Sequence, residues 1–168
     1  MPGSRPAAVV FDLDGVIVDT EHVWDEVREE LVTDWGGTYA AGAQEAMMGM
    51  SSTEWSCYLH EVIGLPQTPA EINAEVVRRM LDRYEHDLPL IPGAVEAVRA
   101  LHAAGLPLAV ASSSNRPLID AVLRTAEVEG LFAATVSSEE VARGKPSPDV
   151  YLEAARRLGV DPTACAAV

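Results

Sequence analysis

Cysteine is scarce: Cys57 and Cys165 are the only two among 168 residues, and they lie far apart. No Cys-x-x-Cys pair is present, and His22, His60, His86 and His102 show no ligand spacing, so neither a disulfide framework nor a zinc site is indicated. No apolar run approaches the ~18–20 residues of a membrane span, and the N-terminus lacks the apolar core of a signal peptide. The expectation is therefore a cytoplasmic protein with no membrane partner. Positive charge is also short, with 12 Lys and Arg against 26 Asp and Glu and a net charge of −14. No basic stripe offers phosphate contacts, which excludes a nucleic-acid partner. A small anionic substrate remains compatible, because one or two local cations dominate the field inside a pocket. Aromatics make up 5% against 48% hydrophobic residues, so the core is aliphatic. Low-complexity segments and repeats are absent.

The most informative segment is Phe11-Asp12-Leu13-Asp14-Gly15-Val16, entered from the apolar run Ala7-Ala8-Val9-Val10. It reads as a buried strand ending in two carboxylates that alternation places on the same side. Gly15 permits a sharp turn. Paired acids at the carboxyl end of a buried strand lie where open α/β sheets bind ligands. Two such charges need a shared proton or a cation, and Mg2+ suits oxygen ligands best. A calcium loop is excluded because Val16, Ile17 and Val18 follow the glycine, where further oxygen ligands are required.

Downstream, the apolar spacing predicts helices over 19–35, 51–63 and 69–84, with Thr20 and Ser51 or Ser52 as starts. Trp24, Trp55 and the methionines of these stripes read as core. After Leu90-Ile91-Pro92-Gly93 the pattern alternates: a helix with Val95, Val98 and Leu101, a strand over 106–111, a helix over 116–128, a strand over 132–136, a helix over 148–158, and a strand beginning at Ala164. Strands separated by helices imply βαβ units and a parallel sheet. The fold expected is α/β, a three-layer Rossmann-like core over 1–16 and 92–168, with an α-helical cap inserted over 17–91. Two connections, near 16–20 and 87–92, would join cap to core and permit hinge motion.

Two further segments reach strand ends. Ser112-Ser113-Ser114-Asn115 opens a helix, where hydroxyls and N–H groups suit a phosphate; alone it also reads as a turn with an N-cap. Gly144-Lys145-Pro146-Ser147-Pro148-Asp149 holds Lys145 in a loop stiffened by two prolines; alone, such a lysine also reads as solvated surface.

Together, in this order and spacing, these segments resemble the haloacid dehalogenase superfamily of phosphatases. Asp12-Leu13-Asp14-Gly15-Val16 with Asp19 resembles its first motif, Ser112 its second and Lys145 its third; the helical insert resembles its small cap. Within the superfamily, Asp19-Thr20-Glu21 followed by Trp24 is similar to the sugar-phosphate and hexitol-phosphate phosphatases. The β-phosphoglucomutase branch is similar throughout, but it places a His where this chain has Trp24, which weighs against a mutase.

The resemblance implies a Mg2+-dependent phosphomonoesterase acting on small phosphorylated sugars or polyols. Asp12 would be the nucleophile, forming an aspartyl-phosphate, and Asp14 the general acid and base. Asp12 and the Asp14 carbonyl would bind the metal. Lys145 and Ser112 would hold the phosphoryl group, helped by Ser113 and Asn115. Gly49, Met50 and Ser51 would face the substrate from the cap, and a monomer is usual for this cap type. The family's fourth motif, an acidic pair on the fourth strand, has no counterpart before Val168, and Glu139 and Glu140 precede the Lys145 loop. The expectation for these 168 residues is therefore a truncated chain with weakened Mg2+ binding and low activity. The competing readings are a phosphosugar mutase and a folded but catalytically impaired domain.

Overall fold

The computed structural model describes residues 5–168. Four short strands form one parallel sheet: β1 (Ala8–Phe11), β2 (Leu108–Ser112), β3 (Ala134–Ser137) and β4 (Cys165–Ala167). Their order is β3-β2-β1-β4. Val9 lies opposite Leu108 of β2 and Ala166 of β4, so β1 is an inner strand with neighbours on both sides. A strand covered on both faces reads as a continuous apolar run, and Ala8 through Phe11 are all buried.

Alternation along the strands separates two packed layers. Val10, Ala109, Ala111 and Val136 face α7 (Asp149–Leu158), meeting its Val150 and Ala154. Val9, Phe11, Leu108 and Val110 face the other way. They join Leu118, Ile119, Val122 and Leu123 of α6 (Arg116–Thr125) and Val98 of α5 (Ala94–Ala103). Helices thus cover both faces, giving the three-layer α/β architecture expected from the alternating pattern.

Between β1 and α5 the chain forms four helices: α1 (Glu21–Asp34), α2 (Ala43–Met47), α3 (Ser52–Glu61) and α4 (Pro69–His86). The stripe Ile72, Val76, Met80 and Tyr84 of α4 is fully buried, as its spacing predicts. α4 packs on α1 and α3 and also on α6. Helix α2 was not expected; it has only five residues, too few for a periodic signal. Strand β2 begins two residues later than the apolar run, after Pro107, and extends to Ser112; β3 likewise begins at Ala134.

The two connections flanking these helices lie side by side. The Asp19 N–H donates to the Pro89 carbonyl at 2.8 Å, and the Ile91 N–H donates to the Ile17 carbonyl at 2.9 Å. Val18 bridges Leu90 in the antiparallel sense.

Candidate active site

β1 delivers Asp12 and Asp14 just past its last residue. Gly15 then adopts φ +79°, a left-handed conformation open to glycine, and its N–H donates to the Val18 carbonyl at 2.8 Å. This tight loop aims both carboxylates into a cavity of about 280 Å³ beyond the carboxyl end of the sheet. Asp19, Ser113, Ser114 and Lys145 also line it, as do Gly49 and Met50 from the segment between α2 and α3.

Lys145 reaches the first carboxylate directly: Nζ lies 2.6 Å from Asp12 Oδ2, with the ammonium 4.9 Å above the Tyr151 ring. The other oxygen, Oδ1, accepts from the Leu13 N–H at 2.7 Å. Asp14 is held by three donors. Its Oδ1 accepts from the Thr20 hydroxyl and from Trp24 Nε1 at 3.3 Å, and its Oδ2 accepts from the Ser114 hydroxyl at 2.6 Å. Burial of Tyr84, with the Asp14 charge nearby, pushes its phenol above the ordinary range.

Other sequence-predicted residues occupy supporting positions. Ser112 is wholly buried, with its hydroxyl accepting from the Ser114 N–H at 3.0 Å, so it braces the Ser113–Ser114 turn from behind. Asn115 donates to Asn73 of α4 at 3.1 Å and to Glu139 at 2.7 Å. Glu139 also accepts from Ser52 of α3 at 3.1 Å and from the Arg116 N–H at 3.1 Å, so the start of α6 faces this carboxylate. Ser51 caps α3: it exchanges side-chain and main-chain bonds with Glu54 in a capping box, which pulls the Glu54 carboxyl below its usual range. It lies outside the cavity lining, against the Gly144 loop. Glu140 is engaged by Arg116 and Arg157.

Several site residues carry no motif. Thr20 stands at the start of α1 as its position suggests, but its hydroxyl serves Asp14 and caps nothing. Trp24 and Trp55 are core residues, 8% and 2% exposed, and cavity walls as well. Arg28, Gln44 and Met47 complete that wall. A positive residue on the apolar face of α1 was the one available signal for Arg28.

The atoms that Asp12 and Asp14 could offer a cation are oxygens, and among the described residues no cluster of three or more acidic, His or Cys side chains forms a metal cage. That set fits Mg2+, which binds through one or two carboxylates and keeps its remaining positions for water and phosphate. A nucleophilic carboxylate paired with a cation, next to a second carboxylate ringed by hydroxyl donors, is suited to covalent transfer followed by proton exchange.

Comparison with known proteins agrees with this geometry. The family model described as haloacid dehalogenase-like hydrolase matches residues 6–168. Hexitol phosphatase B of Escherichia coli (strain K12) is 30% identical over 166 residues, covering 96% of this chain and 73% of that protein. Fructose-1-phosphate phosphatase YqaB of the same organism is 33% identical over 167 residues, covering 96% of this chain and 85% of that protein. A crystal structure of a HAD family hydrolase from Deinococcus radiodurans R1, with bound phosphate and sodium, superposes with a TM-score of 0.65 at 29% identity, covering 98% of this chain and 72% of that one.

Proposed function

The chain belongs to the haloacid dehalogenase-like hydrolases, and on that premise we propose that it is a phosphomonoesterase for small phosphorylated sugars or polyols, working through an aspartyl-phosphate on Asp12. The observation that carries this reading is the convergence of three separate stretches of chain on one cavity: Asp12 and Asp14, the Ser113–Ser114 turn, and Lys145. The hexitol and fructose-1-phosphate phosphatases it resembles support the substrate class.

The Asp12 carboxylate attacks phosphorus in line with the leaving oxygen. The P–O bond to the alcohol breaks, and the departing alkoxide takes a proton from Asp14. Water then attacks the acyl phosphate while Asp14 takes its proton back, releasing inorganic phosphate and restoring both carboxyl groups. For the first step Asp14 must carry a proton. Thr20 and Ser114 can then rotate their hydroxyls from donating to accepting, whereas the Trp24 indole donates only. Lys145 stabilises the charge on the transferring group. Asp12 and the Asp14 carbonyl would hold Mg2+, which supplies charge that offsets the repulsion between carboxylate and phosphate. The four helices α1–α4 form a cap that excludes water and selects the alcohol.

The test is phosphate release from a panel of hexitol and hexose phosphates by the parent chain and by Asp12→Asn. The expected loss is on the order of 10³–10⁶-fold. Equal rates in the two proteins would remove Asp12 from the chemistry. Isomerised hexose phosphate without free phosphate would favour a mutase.

A further inference from the structure

Arg28 projects from α1 into the wall of the cavity and is only 5% exposed. Its guanidinium packs against two indoles that touch each other edge-to-face, with Cζ 4.8 Å from the Trp24 ring and 5.0 Å from the Trp55 ring. Nη1 donates to Gln44 Oε1 at 3.1 Å, while Nε is buried without a partner. Among the described residues, Arg28 is in no ion pair. The neighbouring acids act on it without contacting it. Asp25 accepts from the Tyr39 hydroxyl at 2.9 Å, and Asp14 accepts from Thr20, Trp24 and Ser114. The Gln44 amide is fixed in turn, because its Nε2 donates to the Glu21 carbonyl at 3.2 Å.

A buried cation ordinarily has a counter-ion, since desolvation is costly and stacking on aromatic faces offsets only part of it. Burial draws the Arg28 pKa down to about 10, so the side chain stays charged at neutral pH. Its position supplies the missing partner. Trp24 places its N–H on Asp14 and its ring face on Arg28, so the guanidinium lies one indole away from the residue that protonates the leaving oxygen. A group that extends from that oxygen across the cavity toward α1 can reach Arg28 and Gln44, which line it. A neutral polyol would leave the guanidinium without a contacting counter-ion, with only the more distant Asp25 and Asp14 charges acting on it, while Asp19 and Glu21 on the lining would repel an anion that had no cation of its own.

We propose that Arg28, with Gln44, determines specificity by receiving an anionic oxygen group, a carboxylate or a second phosphate, carried on the leaving group of the substrate. This rests on reading the cavity as a phosphomonoester site and narrows the phosphorylated sugars and polyols to those that carry a second anionic group, sugar acid phosphates or bisphosphates.

The test is equilibrium titration of the full chain, bearing Asp12→Asn so that ligand is not consumed, with three probes in the presence of Mg2+. They are 2-hydroxyethyl phosphate, 2-phosphoglycolate and ethane-1,2-diol bisphosphate, which share the phosphoester end and differ in the distal group. The expected result is that one of the anionic probes binds at least about tenfold more tightly than the neutral one. Which anion wins identifies the distal group. Arg28→Met should bring that ratio close to one, and Arg28→Lys should keep part of it. Should Arg28→Met fail to melt cooperatively, Arg28→Lys and Gln44→Leu carry the comparison, each lowering the ratio. Equal affinity for neutral and anionic probes, or a ratio unmoved by these variants, overturns the inference and leaves the phosphomonoesterase reading intact. Failure of all three probes to bind overturns both.

Discussion

Lys145 and Asp12 hold each other at 2.6 Å in a setting where the lysine side chain is 18% exposed and the aspartate 28%. The pair is half-shielded from water, so the ammonium is a strong local charge that an incoming phosphoryl group can share. Removing such a donor from a developing charge costs about 10²–10³ in rate. Lys145→Met is therefore expected to lower kcat for a phosphomonoester by that factor. Lys145→Arg should recover only part, because a planar fork does not replace a point charge on a short reach. Steady-state kinetics checks both, and an unchanged kcat in the methionine variant would count against the role. At this scale the sequence was informative where chemistry demands a local pattern: the Asp-x-Asp-Gly turn and the proline-flanked lysine were legible because neighbours in the chain fix them. Thr20, Ser114 and Arg28 were not, because their meaning depends on contacts 6, 100 and 16 residues away, with Asp14 for the first two and Gln44 for the third.

Among the elements, α3 and α4 begin with complete capping boxes, Ser51 with Glu54 and Thr68 with Glu71. Each cap satisfies two orphan N–H groups at a helix start. Thr68→Ala and Ser51→Ala should each cost about 1 kcal/mol of stability, measured by urea unfolding. The Ser51 result bears on its expected place facing substrate, since its hydroxyl is already engaged by Glu54. Helices α1 and α4 are joined by ion pairs, Arg79 reaching Asp34 at 2.8 Å and Arg83 reaching Glu26 at 3.4 Å, while within α4 Arg79 also pairs with Glu75 at 2.9 Å. Bonds from Arg78, then Arg79, hold the Glu75 carboxyl down to about 2, against 4.5 for a free glutamate. A carboxyl whose folded value lies below its unfolded value contributes stability that is complete above about pH 4.5 and is lost as pH falls toward about 2. Between those limits the parent should lose stability more steeply than Glu75→Gln, and identical pH profiles of the urea midpoint would contradict this. The long stripes of α1, α3 and α4 were readable from spacing, whereas α2, five residues long and started by Gly42 in a left-handed conformation, had no periodicity to read.

Across the whole molecule, the alternation of strand and helix after Leu90 translated directly into a parallel sheet, because parallel neighbours need a crossover connection and a helix is the usual one. The strand order is less visible in the sequence. β4 pairs on the far side of β1 from β2, and α7 packs across β1, β2 and β3. The consequence is that β1, buried between two strands, presents Asp12 at the middle of the sheet end, with Ser113 and Ser114 from the β2 side and the four-helix insert above. The overall charge of −14 would repel an anionic substrate, so on the proposed reading its recognition falls to the local cations Lys145 and Arg28. The central claim is that Asp12 is phosphorylated in turnover. It is tested most directly by acid-quenching the chain during reaction with a phosphomonoester and Mg2+ and mapping the phosphoryl group by peptide mass spectrometry. The account predicts an acid-stable, hydroxylamine-sensitive phosphoryl on the peptide holding Asp12, absent in Asp12→Asn. Turnover with no such label, or a label on another residue, would contradict it.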